Sequence, residues 1–263
     1  KKFAISANSG TSTLHMALNA FGVRPGDEVI IPALTVAMPG FAVWQCGAIP
    51  VFADVLEDTF LMNPDDVRKK INSKTKAIMP VHMYGNMCNM DSIMKLANEH
   101  KLFVLEDCAE SLYASNDKDQ KAGTIGHVGS WSFENSKHLS TGDGGIVATN
   151  DEELATKMRQ FGGVGFKNIT AKTGKVRISR DQFQDPKYER HNMFAYNYRL
   201  PELCAAIGLA QCERLSYFVE LRELMGQSYL NTINDSDLFL VQKTESGYRN
   251  TYWTFAARFL GND

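Results

Sequence analysis

Short apolar runs alternate with amphipathic stretches through the first 150 residues. Ser12 to Phe21 spaces its apolar residues as a helix does, and Pro25-Gly26-Asp27 then turns the chain into the β-rich run Glu28 to Ile31. Thr35 to Cys46 reads as helix and Ile49 to Ala53 as strand. Asn63 followed by Pro64 is a cap and a first-turn proline, opening a helix that runs to about Ile71. Ala77 to Val81, Met90 to His100 and Phe103 to Glu106 continue as strand, helix and strand. This alternation predicts an α/β fold, a mostly parallel mixed sheet flanked by helices.

Val128 to Phe133 and Gly145 to Thr149 read as two further strands on either side of a glycine-bearing loop. Asp151 to Phe161 opens with acidic residues, which suit a helix N-terminus. From Gly162 to about His191 the pattern fades into glycine, lysine and polar residues, an excursion from the core. Pro201 to Tyr229 reads as one long helix, and Tyr252 to Phe259 as strand-like. We expect the last thirty-odd residues to begin a second domain that is cut short at Asp263.

Composition removes several function classes. With 44% hydrophobic and 22% charged residues, the 263-residue chain can bury a sizeable core. A net charge of −2 gives no reason to expect nucleic acid or an anionic membrane as partner. No apolar run approaches the roughly 18 residues of a membrane span. No leader is visible, and the start at Lys1 leaves room for a lost N-terminal segment. Cys46, Cys88, Cys108, Cys204 and Cys212 form no CxxC pair and no zinc spacing, which suits a reducing cytoplasm. The six histidines are scattered, so no metal site is expected.

The chemistry is concentrated in Ser130-Trp-Ser132-Phe-Glu-Asn-Ser-Lys137-His-Leu-Ser-Thr-Gly142-Asp-Gly144-Gly145. Lys137 stands on a glycine-bearing turn, thirty positions (137 − 107) after Asp107. Pyridoxal 5′-phosphate (PLP) makes four demands: a lysine amine for its aldehyde, a carboxylate for its ring nitrogen, backbone donors for its phosphate and packing for its ring. Asp107 follows Phe103 to Glu106, at the carboxyl end of a strand where open α/β sheets bind ligands. Glu106 would point the opposite way, so only one of the two should face a cofactor. Ser9-Gly10-Thr11-Ser12 precedes a helix whose N-terminal N–H groups favour an anion, and Ser132 could add a hydroxyl. Each has an ordinary alternative: a solvated lysine, a strand-end turn, a helix cap, a strand serine. The glycines of Gly142-Asp-Gly-Gly145 would equally serve a plain hairpin. It is their order on one β/α scaffold that points to a PLP enzyme.

The sequence resembles the DegT–StrS family of PLP-dependent sugar aminotransferases, in the aspartate-aminotransferase fold class (PLP-dependent transferase fold type I). The resemblance runs from about Ile5 to Tyr229. Its signposts are Ser9 to Leu18, Pro25 to Pro32, Thr75 to Gly85, Glu106 to Glu110, Ser132 to Gly145, Tyr196 to Leu203 and Ala205 to Gln211. It implies that Lys137 bonds to the cofactor aldehyde and shuttles the proton, with Asp107 paired to the pyridinium nitrogen. It implies Glu110 near the phenolic oxygen and Gly10, Thr11 and Ser132 around the phosphate. Asn197, by itself a turn residue, would reach the phosphate of a neighbouring subunit, which implies a homodimer with shared active sites.

Three departures stand out. Val36 occupies a position where family members carry an aromatic that packs on the ring, and Asp143 replaces a commoner glutamate. The family also extends further at both ends. The expected division is therefore 1–229, a large PLP-binding domain lacking its N-terminal segment, and 230–263, the beginning of a small C-terminal domain. The expected reaction moves an amino group from an amino acid, L-glutamate, to a nucleotide-linked keto sugar, and acceptors such as keto-inositols stay open. A dehydratase of the same fold is the alternative, although such relatives replace the lysine with histidine. A non-catalytic regulatory relative would have lost Lys137 or Asp107, and a dinucleotide-binding fold is excluded because no GxGxxG opens the first helix.

Overall fold

Proline, glycine and short polar caps set most element boundaries in the computed structural model, which describes residues 1–174, 178–233 and 236–261. The expected excursion 162–191 and the expected C-terminal segment 230–263 each include residues outside that set. The strands are β1 (Phe3–Ala7), β2 (Glu28–Pro32), β3 (Ile49–Ala53), β4 (Thr75–Ile78), β5 (Phe103–Asp107), β6 (Val128–Ser132), β7 (Gly145–Thr149), β8 (Phe239–Val241) and β9 (Ala257–Phe259). The helices are α1 (Gly10–Ala20), α2 (Met38–Gln45), α3 (Pro64–Lys70), α4 (Met90–His100), α5 (Glu152–Gly162), α6 (Arg180–Gln184), α7 (Glu202–Cys212) and α8 (Leu215–Ile233). Ser9, Asn63, Asn89 and Asp151 each accept a first-turn N–H, contributions of about 1 kcal/mol apiece.

Seven strands form one sheet in the order β1-β7-β6-β5-β4-β2-β3. The β6–β5–β4–β2–β3 neighbours are parallel, while β7 runs antiparallel to both β6 and β1. This is the mostly parallel mixed sheet that the alternation predicts. Near-continuous apolar runs serve such a sheet because both faces are covered. Val29 and Ile31 pack on one side with α1, α2 and α5, whereas Ile30 packs on the other with α3 and α4. Leu105 and Val104 divide in the same way.

Several boundaries differ from the sequence expectation. The expected helix Pro201–Tyr229 is two helices, α7 and α8, interrupted at Glu213 and Arg214. The break gives α8 its own register, with Leu215, Val219 and Gly226 buried, while α7 buries only Gly208. The helix expected from Thr35 begins at Met38, with Pro39 in its first turn. The strand expected over Ala77–Val81 ends at Ile78, ahead of Pro80, and Val81 makes only an isolated bridge to Asp107. Most of the expected strand Tyr252–Phe259 is not strand: Tyr252 has φ 44°, and β9 starts only at Ala257. The sequence pattern does not mark strand β1, yet Phe3 to Ala7 pairs along its whole length with β7. Among the described residues, no helix is long and apolar enough to cross a membrane.

Candidate active site

The carboxyl ends of β5 and β6, the N-terminus of α1 and the loop between β6 and β7 meet at one end of the sheet, beyond its interior strands. Ser132, the last residue of β6, pairs with Gly145, the first of β7, so loop 133–144 is closed at its base and carries Lys137. The lysine side chain is 12% exposed, and its Nζ lies 3.7 Å from Glu110 Oε1. That is an ion-pair distance, longer than a hydrogen bond. On another side the same Nζ stands 4.1 Å from the centroid of the Trp253 ring.

Asp107 closes β5 with its backbone locked: its N–H donates to Pro80 O and its carbonyl accepts from His82 N–H. Its buried carboxylate accepts from Ala109 N–H. Burial raises the Asp107 pKa, against which the Ala109 N–H and the charge of Lys137 work in the other direction. Glu110 is also buried. Its Oε2 accepts from Tyr84 N–H at 3.0 Å, while Oε1 has no hydrogen-bond partner among the described residues. Tyr84 holds φ 66°, a left-handed conformation uncommon for an aromatic residue, to present that N–H. Burial raises the Glu110 carboxyl as well, opposed by the Tyr84 N–H and by Lys137.

Glu106 points to the opposite face. It accepts from His82 Nε2 and Gly123 N–H on one oxygen, and from Ile125 and Gly126 N–H on the other. His82 Nδ1 accepts from Cys88 N–H, so it is Nε2 that carries the proton donated to Glu106. His82, Glu106 and Cys108 cluster closely enough to suggest metal ligands. These hydrogen bonds already occupy the histidine and carboxylate atoms that a cation would need.

At the other end of the site, α1 approaches β6 so closely that only glycine fits. A Cβ on Gly10 would lie 2.7 Å from Ser132 Cβ, and one on Gly145 would lie 2.8 Å from both Ser9 O and Trp131 O. Ser9 Oγ and Ser9 O take the N–H groups of Ser12 and Thr13. Those of Gly10 and Thr11 have no intrahelical acceptor, which makes this end receptive to an anion.

Asn197 stands elsewhere. It is exposed, accepts from Arg199 Nε and bridges to Gly163. The flanking Tyr196 and Tyr198 stack on each other, and Tyr198 O accepts from Asn8 N–H, just ahead of the α1 turn. Val36 is 38% exposed and lines a cavity of about 190 Å³ with Phe41, Trp44 and Phe52. The aromatic ring beside Lys137 comes instead from Trp253. Sequence reading missed Trp253, Arg222 and Tyr84, because their partners lie far along the chain and no local pattern marks them.

Comparison with known proteins matches this arrangement to a family. A model of the DegT/DnrJ/EryC1/StrS aminotransferase family matches residues 1–261. GDP-perosamine synthase of Escherichia coli O157:H7 is 38% identical over 252 residues, 96% of this chain and 64% of the relative. The chain therefore spans just under two thirds of that relative's length. Among solved structures, DesV of S. venezuelae shares 31% identity with a TM-score of 0.85, covering 97% of this chain and 64% of that one. The E. coli GDP-4-keto-6-deoxy-D-mannose-3-dehydratase, solved with bound hydrated PLP, shares 26% identity with a TM-score of 0.87, covering 98% and 67%.

Proposed function

The chain belongs to the DegT/DnrJ/EryC1/StrS aminotransferase family, and from that premise we propose that the intact protein is a PLP-dependent aminotransferase. Its reaction would transfer an amino group from an amino acid, L-glutamate, to a keto sugar linked to a nucleotide. The observation that carries this reading is the convergence of Lys137, Asp107, Glu110, Ser132 and the α1 N-terminus at the carboxyl ends of β5 and β6. The nucleotide-sugar acceptor rests on the likeness to a GDP-perosamine synthase.

The residues present fit PLP. Glu110 Oε1 is a buried polar atom with no hydrogen-bond partner among the described residues, and the Gly10–Ser132 approach leaves a side-chain-free cradle of backbone donors. When bound, PLP supplies an aldehyde for the lysine and a protonated ring that draws electron density from the substrate carbon. Lys137 Nζ would take the proton from that carbon and return it one step later. Asp107, buried and costly as an anion on its own, would be held ionised beside a cationic ring nitrogen. Glu110 would meet the phenolic oxygen, while Gly10, Thr11 and Ser132 would hold the phosphate. Burial of the lysine side chain restricts water at the reacting atoms.

We further propose a homodimer with shared sites, in which Asn197 reaches the phosphate of the neighbouring subunit. Supporting this, Asn197 is exposed, and Phe194 before it and Leu203 and Leu209 on α7 after it expose 90%, 81% and 69% of their surface. A second copy would cover them. All five cysteines are free, in keeping with a cytoplasmic protein. Residues 1–229 would form the PLP-binding domain, and 230–263 would begin a smaller one.

The dehydratase likeness supports a second reaction on the same scaffold, and Lys137 in place of histidine favours transamination. The test is an absorption spectrum of the protein with PLP, before and after L-glutamate. We expect a yellow band that L-glutamate converts, and its absence in Lys137→Ala. A band that ignores every amino donor, or no band in the unsubstituted protein, would overturn the proposal.

A further inference from the structure

The segment 250–255, far beyond the sheet in sequence, is strapped to the loop that carries Lys137. Trp253 Nε1–H donates to Ser136 O, one residue before the lysine, at 3.0 Å. Arg222 on α8 donates Nη1–H to Trp253 O at 2.6 Å and Nη2–H to Ser136 O at 3.2 Å, so a single guanidinium clamps both chains. On the lysine's other side His138 Nε2–H donates to Thr251 O at 2.9 Å. Burial lowers the His138 pKa to about 4, so the ring is neutral near pH 7 and this nitrogen carries the proton.

The backbone beneath Trp253 is equally confined. Thr251 N–H donates to Gly85 O, and a Cβ on Gly85 would lie 2.3 Å from Tyr252 N. Gly226 on α8 likewise leaves room for the Tyr252 ring, which a Cβ there would approach to 2.6 Å. The indole therefore has a fixed place, and that place is over Lys137 Nζ, at 4.1 Å from the ring centroid. Glu110 Oε1 lies 3.7 Å from the same nitrogen.

We infer that Trp253 is a further residue of the reaction centre. Its indole face, together with the Glu110 carboxylate, holds the Lys137 amine whenever that amine is not bonded to cofactor, and Arg222 is the positioning residue that keeps the indole there. The inference rests on the reading of Lys137 given above. A transferase lysine must let go of its cofactor in each half-reaction and stay close enough to move a proton. A flexible four-carbon chain does not do this unaided. A ring face attracts an ammonium group but offers no lone pair to take its proton, so it retains the lysine without neutralising it. Arg222 suits its task because its two terminal nitrogens are spent on carbonyls. Among the described residues no carboxylate forms an ion pair with it.

The test uses cofactor-free protein, so it can be read whether or not PLP binds. Acetic anhydride labels free amines, and mass spectrometry compares Lys137 with Lys69, whose side chain is 74% exposed. Trp253→Phe keeps a ring face but loses the indole N–H; Trp253→Leu loses both. We expect Trp253→Leu to raise Lys137 labelling about three- to tenfold relative to Lys69, with Trp253→Phe within about twofold of the unsubstituted protein. Arg222→Met should follow Trp253→Leu, and Arg222→Lys should restore much of the protection. Equal labelling of the Phe and Leu variants, or unchanged labelling in Arg222→Met, would overturn the inference. If Trp253→Leu does not fold, the Arg222 pair decides alone. A missing PLP band in unsubstituted protein would sink the aminotransferase reading and with it the role in the reaction, while the labelling would still report whether Trp253 holds the Lys137 amine.

Discussion

Glu106 and Asp107 are consecutive residues at the end of one strand, yet they serve opposite faces of the sheet and their carboxyl pKa values are shifted in opposite directions. Among the described residues the Glu106 carboxylate accepts four hydrogen bonds and the Asp107 carboxylate one, from Ala109 N–H. Burial opposes ionisation of Glu106, but the His82 bond and the backbone donors outweigh it and hold the carboxyl below its ordinary range. Burial wins at Asp107 and pushes it up. The first carboxylate is finished as structure. The second is left short of partners.

That shortage predicts a gain in stability from a loss of function. A carboxyl whose folded pKa is raised binds its proton more tightly when folded. Its stabilising contribution is present below the unfolded pKa and disappears as pH rises through the folded one. Ionising Asp107 in the cofactor-free protein is therefore unfavourable, and increasingly so as pH rises above the ordinary carboxylate range. Asp107→Asn should melt about 2–4 °C higher at pH 7, the shift expected for about 1 kcal/mol, and the gain should shrink toward about pH 4. The same variant should bind PLP poorly. Thermal melts at the two pH values check this, and a pH-independent difference would count against it.

For Glu106 the expectation is reversed. Gln offers one acceptor oxygen where the site presents donors on both sides, and its NH₂ would face the N–H groups of Gly123 or of Ile125 and Gly126. Glu106→Gln should cost about 3 kcal/mol, the range for breaking a buried charged network. Urea titration measures it. A loss under about 1 kcal/mol would mean that loop 123–126 relaxes easily.

Gly10 tests the phosphate cradle. Alanine there must push Ser132 or the first turn of α1 aside by several tenths of an ångström, since its Cβ would meet Ser132 Cβ at 2.7 Å. We expect a stability loss of about 1–3 kcal/mol from overpacking and a PLP affinity at least about tenfold weaker. Titration of the PLP band alongside urea melts separates the two. Unchanged affinity in a folded Gly10→Ala variant would remove this turn from the binding site.

How much of this was legible in the sequence depended on the range of the interaction involved. The β/α alternation, the Asn63–Pro64 start and the strand ending at Asp107 are written in neighbouring residues, and local patterns read them correctly. Lys137 and its glycine turn were visible for the same reason. The break at Glu213 and Arg214 was hidden because nothing there disfavours helix; the buried positions of α8 alone require a new register. Trp253 read as part of a strand, since an aromatic-rich run has that pattern whether or not a neighbour supplies a ladder. Its actual partners are a carbonyl at Ser136 and a guanidinium at Arg222. The left-handed Tyr84 was equally silent, because its conformation is bought by a contact to Glu110 twenty-six positions away.

The Ser132–Gly145 pairing has a wider consequence. Because the loop bearing Lys137 is closed at its base by a strand pair, its two ends are fixed by the sheet and not by the side chain at position 137. None of the pairs that register β6 on β7 involves the side chain at position 137. A scaffold so divided can explore new reactions by changing one replaceable module. The same fold could then support amino transfer in one lineage and dehydration in another without being rebuilt.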